Sequence, residues 1–140
     1  MNYIGRGREA LELLIDHGSF QENTVGAQNF DPAYAPPAVV GTARLDGQPV
    51  TVIANDARRT NPRFKVVYSG VIGLEEAYKM AEAVYATIAA DRARPAAEKR
   101  LILLVVDTPG NAPGKLEEII GMNKATVSYQ LALSEARKSG

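Results

Sequence analysis

The sequence predicts an α/β domain in which helices cover a sheet that is at least partly parallel, and three observations carry that expectation. Residues 74 to 91 repeat apolar side chains at helical spacing. Two strand-like runs flank Asp46-Gly47, a pair whose residues both tolerate positive φ and so mark a tight hairpin. Six consecutive apolar residues, Leu101 to Val106, are followed by a segment holding two prolines and two glycines, and then by a helical pattern. A strand apolar on both faces belongs in a covered sheet, commonly a parallel one.

Taken in order, Arg6 to Asp16 reads as a short amphipathic helix with Leu11, Leu14 and Ile15 on one face and Gly18 as its stop. Residues 21 to 37, QENTVGAQNFDPAYAPP, read as an irregular, turn-rich connection. AVVGTARLDGQPVTVIAND supplies the hairpin, and ARRTNPRFKVVYSGVIG reads as a loop. In the helix from Leu74 to Asp91, Leu74, Ala77, Tyr78, Ala81, Val84, Tyr85, Ile88 and Ala89 share a face. ARPAAEK punctuates before the apolar strand. A last helix, roughly Glu117 to Lys138, spreads Ile119, Ile120, Met122, Val127, Leu131 and Leu133 around its surface, which suggests contact from two sides, by its own domain and by a partner.

At 140 residues the chain suits one well-buried domain spanning 1–140. Sixteen basic residues balance sixteen acidic ones, so no net field attracts nucleic acid or an anionic membrane. The chain has no cysteine, which excludes disulfides, thiolate nucleophiles and cysteine-ligated metals. With His17 as the single histidine, neither a zinc site nor a Ser-His-Asp triad is expected, and no metal is assigned. His17 itself reads as a histidine near a helix C-terminus. The start, MNYIGRGREA, lacks the apolar core of a secretory signal, and no apolar stretch approaches the roughly 20 residues that cross a bilayer. A cytoplasmic protein is the expectation.

Chemistry concentrates after the apolar strand. In open α/β sheets ligands gather at the carboxyl ends of strands, here Asp107 to Gly114. Glycine lets backbone approach a ligand and proline fixes the turn. The N–H groups of Gly110, Asn111 and Ala112 are therefore candidate donors to a negatively charged oxygen, aided by the positive end of the following helix. The alternative is a plain strand-to-helix turn. Neither G-x-x-x-x-G-K-S/T nor G-x-G-x-x-G occurs in this loop. Glu117 and Glu118 fall in the first turn of the helix, where the dipole accounts for them, and adjacent residues point about 100° apart. Arg58, Arg59, Arg63 and Lys65 belong either to a solvated loop or to an anchor for the phosphates of a carried substrate.

These residues resemble a known family. DTPGNAPGKLEEIIG is similar to the DTPG-x-x-PG segment, followed by EE and G, of acyl-CoA carboxyltransferase subunits in the crotonase-like superfamily. VIAND followed by a basic loop resembles their second-strand segment, and RGREALELLIDHGSFQE their N-terminal helix. More closely, NPRF, GLEEAYKMAEAV and KRLILLVVDTPGNAPGKLEEIIGMNKA resemble the gamma-subunit family of biotin-independent malonate decarboxylases. The likeness is good over residues 44 to 140 and loose over the first forty.

The resemblance implies a crotonase-like spiral of ββα units and a malonyl thioester substrate held on an acyl carrier protein by a CoA-like group. It implies no covalently bound cofactor, and a beta-type carboxyltransferase subunit as partner. Decarboxylation would proceed by oxyanion-hole stabilisation of the enolate at Gly110, Asn111 and Ala112, with Gly114 and Arg58, Arg59 or Arg63 on the substrate. Two alternatives stay open: a biotin-dependent acyl-CoA carboxyltransferase subunit, and a non-catalytic assembly subunit of such a complex. A hydratase or isomerase fits less well, because no glutamate pair stands out. In these families the helix ending near EARKSG is followed by another strand and a glycine-rich turn, so the expectation is the N-terminal portion of a larger subunit, or one completed by a partner chain. Asn111 and Ala112 also replace the bulkier residues often found between the two Pro-Gly elements.

Overall fold

The computed structural model describes residues 6–26, 28–31, 33–63, 71–108, 110–112 and 114–139. Phe64 and Lys65 of the basic loop, together with Pro109 and Pro113, lie outside the described residues.

The helices are α1 (Gly7–Leu14), α2 (Leu74–Asp91), α3 (Lys115–Ile120) and α4 (Met122–Lys138). The strands are β1 (Gln21–Glu22), β2 (Thr24–Val25), β3 (Gln28–Asn29), β4 (Ala38–Leu45), β5 (Gln48–Asn55) and β6 (Leu101–Val105), with a 3₁₀ turn at Ala96–Glu98. One sheet has the order β1-β4-β5-β6, and β2 and β3 form a separate ribbon in the segment expected to be irregular.

β4 and β5 make the expected hairpin, paired from Ala38↔Asn55 to Leu45↔Gln48. Its turn has φ of 49° at Asp46 and 77° at Gly47, the positive values that match the twist of the strands. The carboxylate of Asp16, just beyond α1, accepts the N–H groups of Asp46 and Gly47 at 2.9 and 2.8 Å and ties the tip down. β6 then pairs parallel to β5, from Val50↔Leu101 to Ala54↔Val105, with α2 as the crossover.

Period-two alternation divides the core between the two faces. Val39, Ala43, Val50, Val52 and Ala54 meet Leu11 and Ile15 on the α1 side. Val40 and Ile53 meet Met80, Ala83 and Val84 of α2 on the other. α4 packs against the outer side of α2 through Ala132, Tyr129, Leu133 and Ala136.

Four expectations need correction. α1 is shorter than Arg6 to Asp16, and Leu14 is half exposed, while Ile15 is buried from an extended position after the helix. α2 buries more than the apolar stripe: being covered by both sheet and α4, it also takes Glu75, Glu76, Lys79 and Thr87 inside, while Tyr85 is 42% exposed. The last helix is two helices, because Gly121 adopts φ +97° and its N–H closes the end of α3. Within this chain α4 packs on α2 through one face, and Val127 and Leu131 of the other are exposed, the face left for the expected partner. Finally, among the described residues β6 is the edge of the sheet rather than a covered strand, with Leu101 65% and Leu104 39% exposed. Among the described residues, no helix is long and apolar enough to cross a membrane.

Candidate active site

The loop after β6 leaves the sheet through a side chain that imitates backbone. Beyond the last ladder pair, Ala54↔Val105, the carboxamide of Asn55 takes both polar groups of Asp107. Its Nδ2 donates to the Asp107 carbonyl at 2.7 Å, and its Oδ1 accepts the Asp107 N–H at 3.2 Å. Thr108 Oγ1 then closes the next turn: it accepts the Gly110 N–H at 3.1 Å and donates to the Gly110 carbonyl at 3.0 Å. Gly110 has φ +136°, a value L side chains rarely adopt, and the position of an added Cβ is open space.

A second anchor comes from the segment before α2. Ile72 forms a parallel bridge with Asn111, in which the Ile72 N–H donates to the Gly110 carbonyl at 2.9 Å and the Ala112 N–H donates to the Ile72 carbonyl at 2.8 Å. In such a bridge the middle residue of the partner strand turns its own N–H and C=O to the opposite side. The Asn111 N–H accordingly points away from Ile72, on an exposed residue, and makes no hydrogen bond to a described residue.

The three expected donors thus separate. Gly110 donates within its own turn and Ala112 to Ile72; Asn111 is the one whose amide is directed outward. The expected helix dipole is also smaller than the sequence suggested, since α3 has only six residues. The longer α2 begins two residues after the bridge, at Leu74. Gly114 stands at the N-cap of α3 with φ +133° and is exposed.

The arginines separate as well. Asp56, next to Asn55, is 1% exposed in its side chain and accepts from the Arg58 N–H at 3.0 Å, Arg58 Nε at 3.1 Å, Arg58 Nη2 at 3.0 Å and the Arg8 N–H at 3.3 Å. Burial alone would raise its pKa, but the hydrogen bonds from Arg58 and Arg8 prevail and hold it at about 2. Arg58 also binds Glu9 of α1, so its guanidinium is a strut between loop and helix, occupied by carboxylates. Arg63 donates to Glu75 at 2.7 Å. Arg59 is exposed and has no ion pair among the described residues.

Sequence reasoning missed a buried polar cluster beneath this loop. Asn61 Nδ2 donates to Glu75 Oε2 at 2.8 Å and to Glu76 Oε1 at 2.9 Å, while its Oδ1 accepts the Arg63 N–H. Burial raises the pKa of Glu76. Lys79, 1% exposed, donates to the carbonyls of Tyr34 and Ala35 at 2.8 and 3.3 Å, and burial lowers its pKa to about 8. The available signal was Asn61-Pro62, a turn pair placed to let an asparagine reach its own backbone two residues on.

The carboxyl transferase domain model matches residues 6–138. The chain is 60% identical, over 138 residues, to the malonyl-S-ACP:biotin-protein carboxyltransferase MADD of Malonomonas rubra, a match covering 98% of this chain and 47% of that protein. Among solved structures, a Pseudomonas malonate decarboxylase hetero-tetramer in complex with malonate aligns with a TM-score of 0.75 and 32% identity, over 96% of this chain and 48% of that one. The transcarboxylase 12S core, with hydrolyzed methylmalonyl-coenzyme A bound, aligns with a TM-score of 0.71 at 24% identity, over 97% of this chain and 23% of that one, a likeness of fold. The chain therefore spans about half the length of the first two of these relatives. The α/β architecture, with β6 parallel to β5 across α2, is that of the crotonase-like carboxyltransferases, and the chain belongs to the carboxyl transferase domain family.

Proposed function

We propose that this chain forms part of a subunit that removes the carboxyl group from a malonyl thioester, with the Asn111 N–H donating to the thioester oxygen. The observation that carries this reading is the direction of that amide, on a loop clamped from both sides at the carboxyl end of β6. When the bond between the malonyl α-carbon and its carboxylate breaks, the electron pair moves into the thioester and its oxygen becomes an enolate oxygen. The carboxyl carbon departs as carbon dioxide, and a proton then reaches the α-carbon to give the acetyl thioester. A fixed donor aimed at that oxygen strengthens as charge develops, which lowers the barrier directly, by ~3–4 kcal/mol for one such group. Arg59, exposed on the loop that follows β5, suits a phosphate of the carrier's CoA-like arm.

The fate of the carboxyl group divides two readings. The resemblance in the sequence favoured release as carbon dioxide without biotin. The 60% identity to a malonyl-S-ACP:biotin-protein carboxyltransferase, against 32% to the Pseudomonas malonate decarboxylase, now favours transfer to biotin carried on a protein, in which the released carbon dioxide bonds to a ureido nitrogen of biotin and the proton that nitrogen gives up balances the one the α-carbon takes. Biotin is then a second substrate, not a group held by this chain. The malonyl group would ride on an acyl carrier protein, and a partner subunit would complete the site.

The test is a label assay on the full-length subunit in its native complex, supplied with carboxyl-labelled malonyl carrier protein and a biotinylated carrier. Label is expected on the biotinylated carrier, with little label lost when that carrier is omitted. Full-rate release of labelled carbon dioxide without it would restore the biotin-independent reading.

A further inference from the structure

Resting on the reading of the Asp107–Ala112 loop as an enolate holder, we infer that Asn55 is a positioning residue for catalysis, the group that sets where the Asn111 N–H points. The β5–β6 ladder ends at Ala54↔Val105, one residue before Asn55 and two before Asp107. The Asn55 carboxamide supplies the next rung, offering one donor and one acceptor in the spacing of a peptide group. A carboxamide presents both from one planar group, and the asparagine side chain spans from β5 to Asp107.

Asn55 is itself held firmly. It pairs with Ala38 across the hairpin and is 6% exposed. Its carbonyl lies under Gly7 of α1, where a Cβ would stand 2.1 Å from the oxygen. The neighbouring Asp56 donates its N–H to Pro37 and receives that of Arg8. A rigid residue therefore grips the first residue of the loop, Thr108 fixes the turn, and Ile72 grips the other side. Removing the Asn55 grip leaves Asp107 without its β5 rung while the Ile72 bridge still holds Gly110 and Ala112. The segment then pivots about the bridge, and the Asn111 donor leaves the line it needs. A displacement of about 1 Å in such a group costs on the order of a hundredfold in rate at worst.

The experiment compares N55D and N55A in the full-length subunit within its complex. N55D keeps the volume and the acceptor to the Asp107 N–H but turns a second acceptor on the Asp107 carbonyl; N55A removes both contacts. Hydrogen exchange of the peptide spanning residues 103–116 is measured beside kcat and KM for the malonyl thioester. The expected result is faster exchange confined to that peptide, with kcat down about tenfold or more and KM within about twofold. Exchange unchanged in the loop overturns the role of Asn55 and leaves the reading of the loop intact. Faster loop exchange with unchanged kcat overturns both. Faster exchange spread equally over β4 and β5 overturns the positioning role, since Asn55 would then matter only to the fold.

Discussion

Asp56 shows how a single residue fixes the strand end from which the site is built. Its carboxylate is buried against Arg8 and Arg58, with a pKa of about 2 in the folded chain against an ordinary 3.8. A carboxylate with a depressed pKa contributes stability above its unfolded value and loses it as the pH falls through the folded one. The difference corresponds to about 2 kcal/mol, fully present above roughly pH 5 and gone near pH 1. D56N is therefore expected to lower the unfolding free energy at pH 7 by about that amount and to flatten its decline between pH 4 and pH 2. Denaturant titrations at a series of pH values check this; an equally steep decline in the variant would assign the acid sensitivity elsewhere. Neither partner of Asp56 was legible in the sequence. Arg58 stands among four cations whose spacing leaves a solvated loop and a phosphate anchor both open, because local spacing cannot reveal that Glu9, 49 residues away, occupies it. Asn111 lay at the other extreme: its neighbourhood was legible from glycine and proline alone, but which of three amides faces outward depended on a bridge to Ile72.

At the scale of elements, α1 is seated on the site's foundation. Gly7 lets the helix start against the Asn55 carbonyl, Arg8 reaches Asp56 and Glu22, and Arg58 returns to Glu9. A methyl group at position 7 would overlap backbone and not a yielding side chain, so G7A must lift α1 or shift β5. The expected cost is about 1–3 kcal/mol, read from denaturant midpoints, and wild-type stability in G7A would mean that α1 is loosely docked. Hairpin, α2 and β6 were all legible, since each is signalled locally: by Asp46-Gly47, by a helical repeat and by a continuous apolar run. Burial was less so. α2 carries Glu75, Glu76 and Lys79 inside because sheet and α4 cover two of its sides, and a helical stripe drawn for one covered side cannot show this. The break at Gly121 was legible in principle, as a glycine after the Ile119-Ile120 pair, but the helical pattern resumes at once with Met122.

On the scale of the whole molecule, the sheet ends in β6, whose outer edge is unpaired among the described residues and whose Leu101 and Leu104 are exposed. A strand this apolar at an edge is a surface that natural proteins normally cover. Leu116 and Ile119 of α3 and Val127 and Leu131 of α4 are exposed as well. This chain spans about half the length of the Malonomonas rubra and Pseudomonas relatives described above. The fold class was readable from the order of elements, whereas the exposure of β6 was not, because an apolar run states what a strand requires and not what its neighbours provide. The proposed function rests on one backbone group in this frame. The measurement that tests it most directly replaces the amide at residue 111 by an ester in the full-length subunit, which deletes the Asn111 N–H and leaves every side chain in place. With the complex still assembled, carboxyl removal from the malonyl thioester is expected to slow about a hundredfold or more; an unchanged rate would contradict the account and leave this chain supporting an active site built elsewhere.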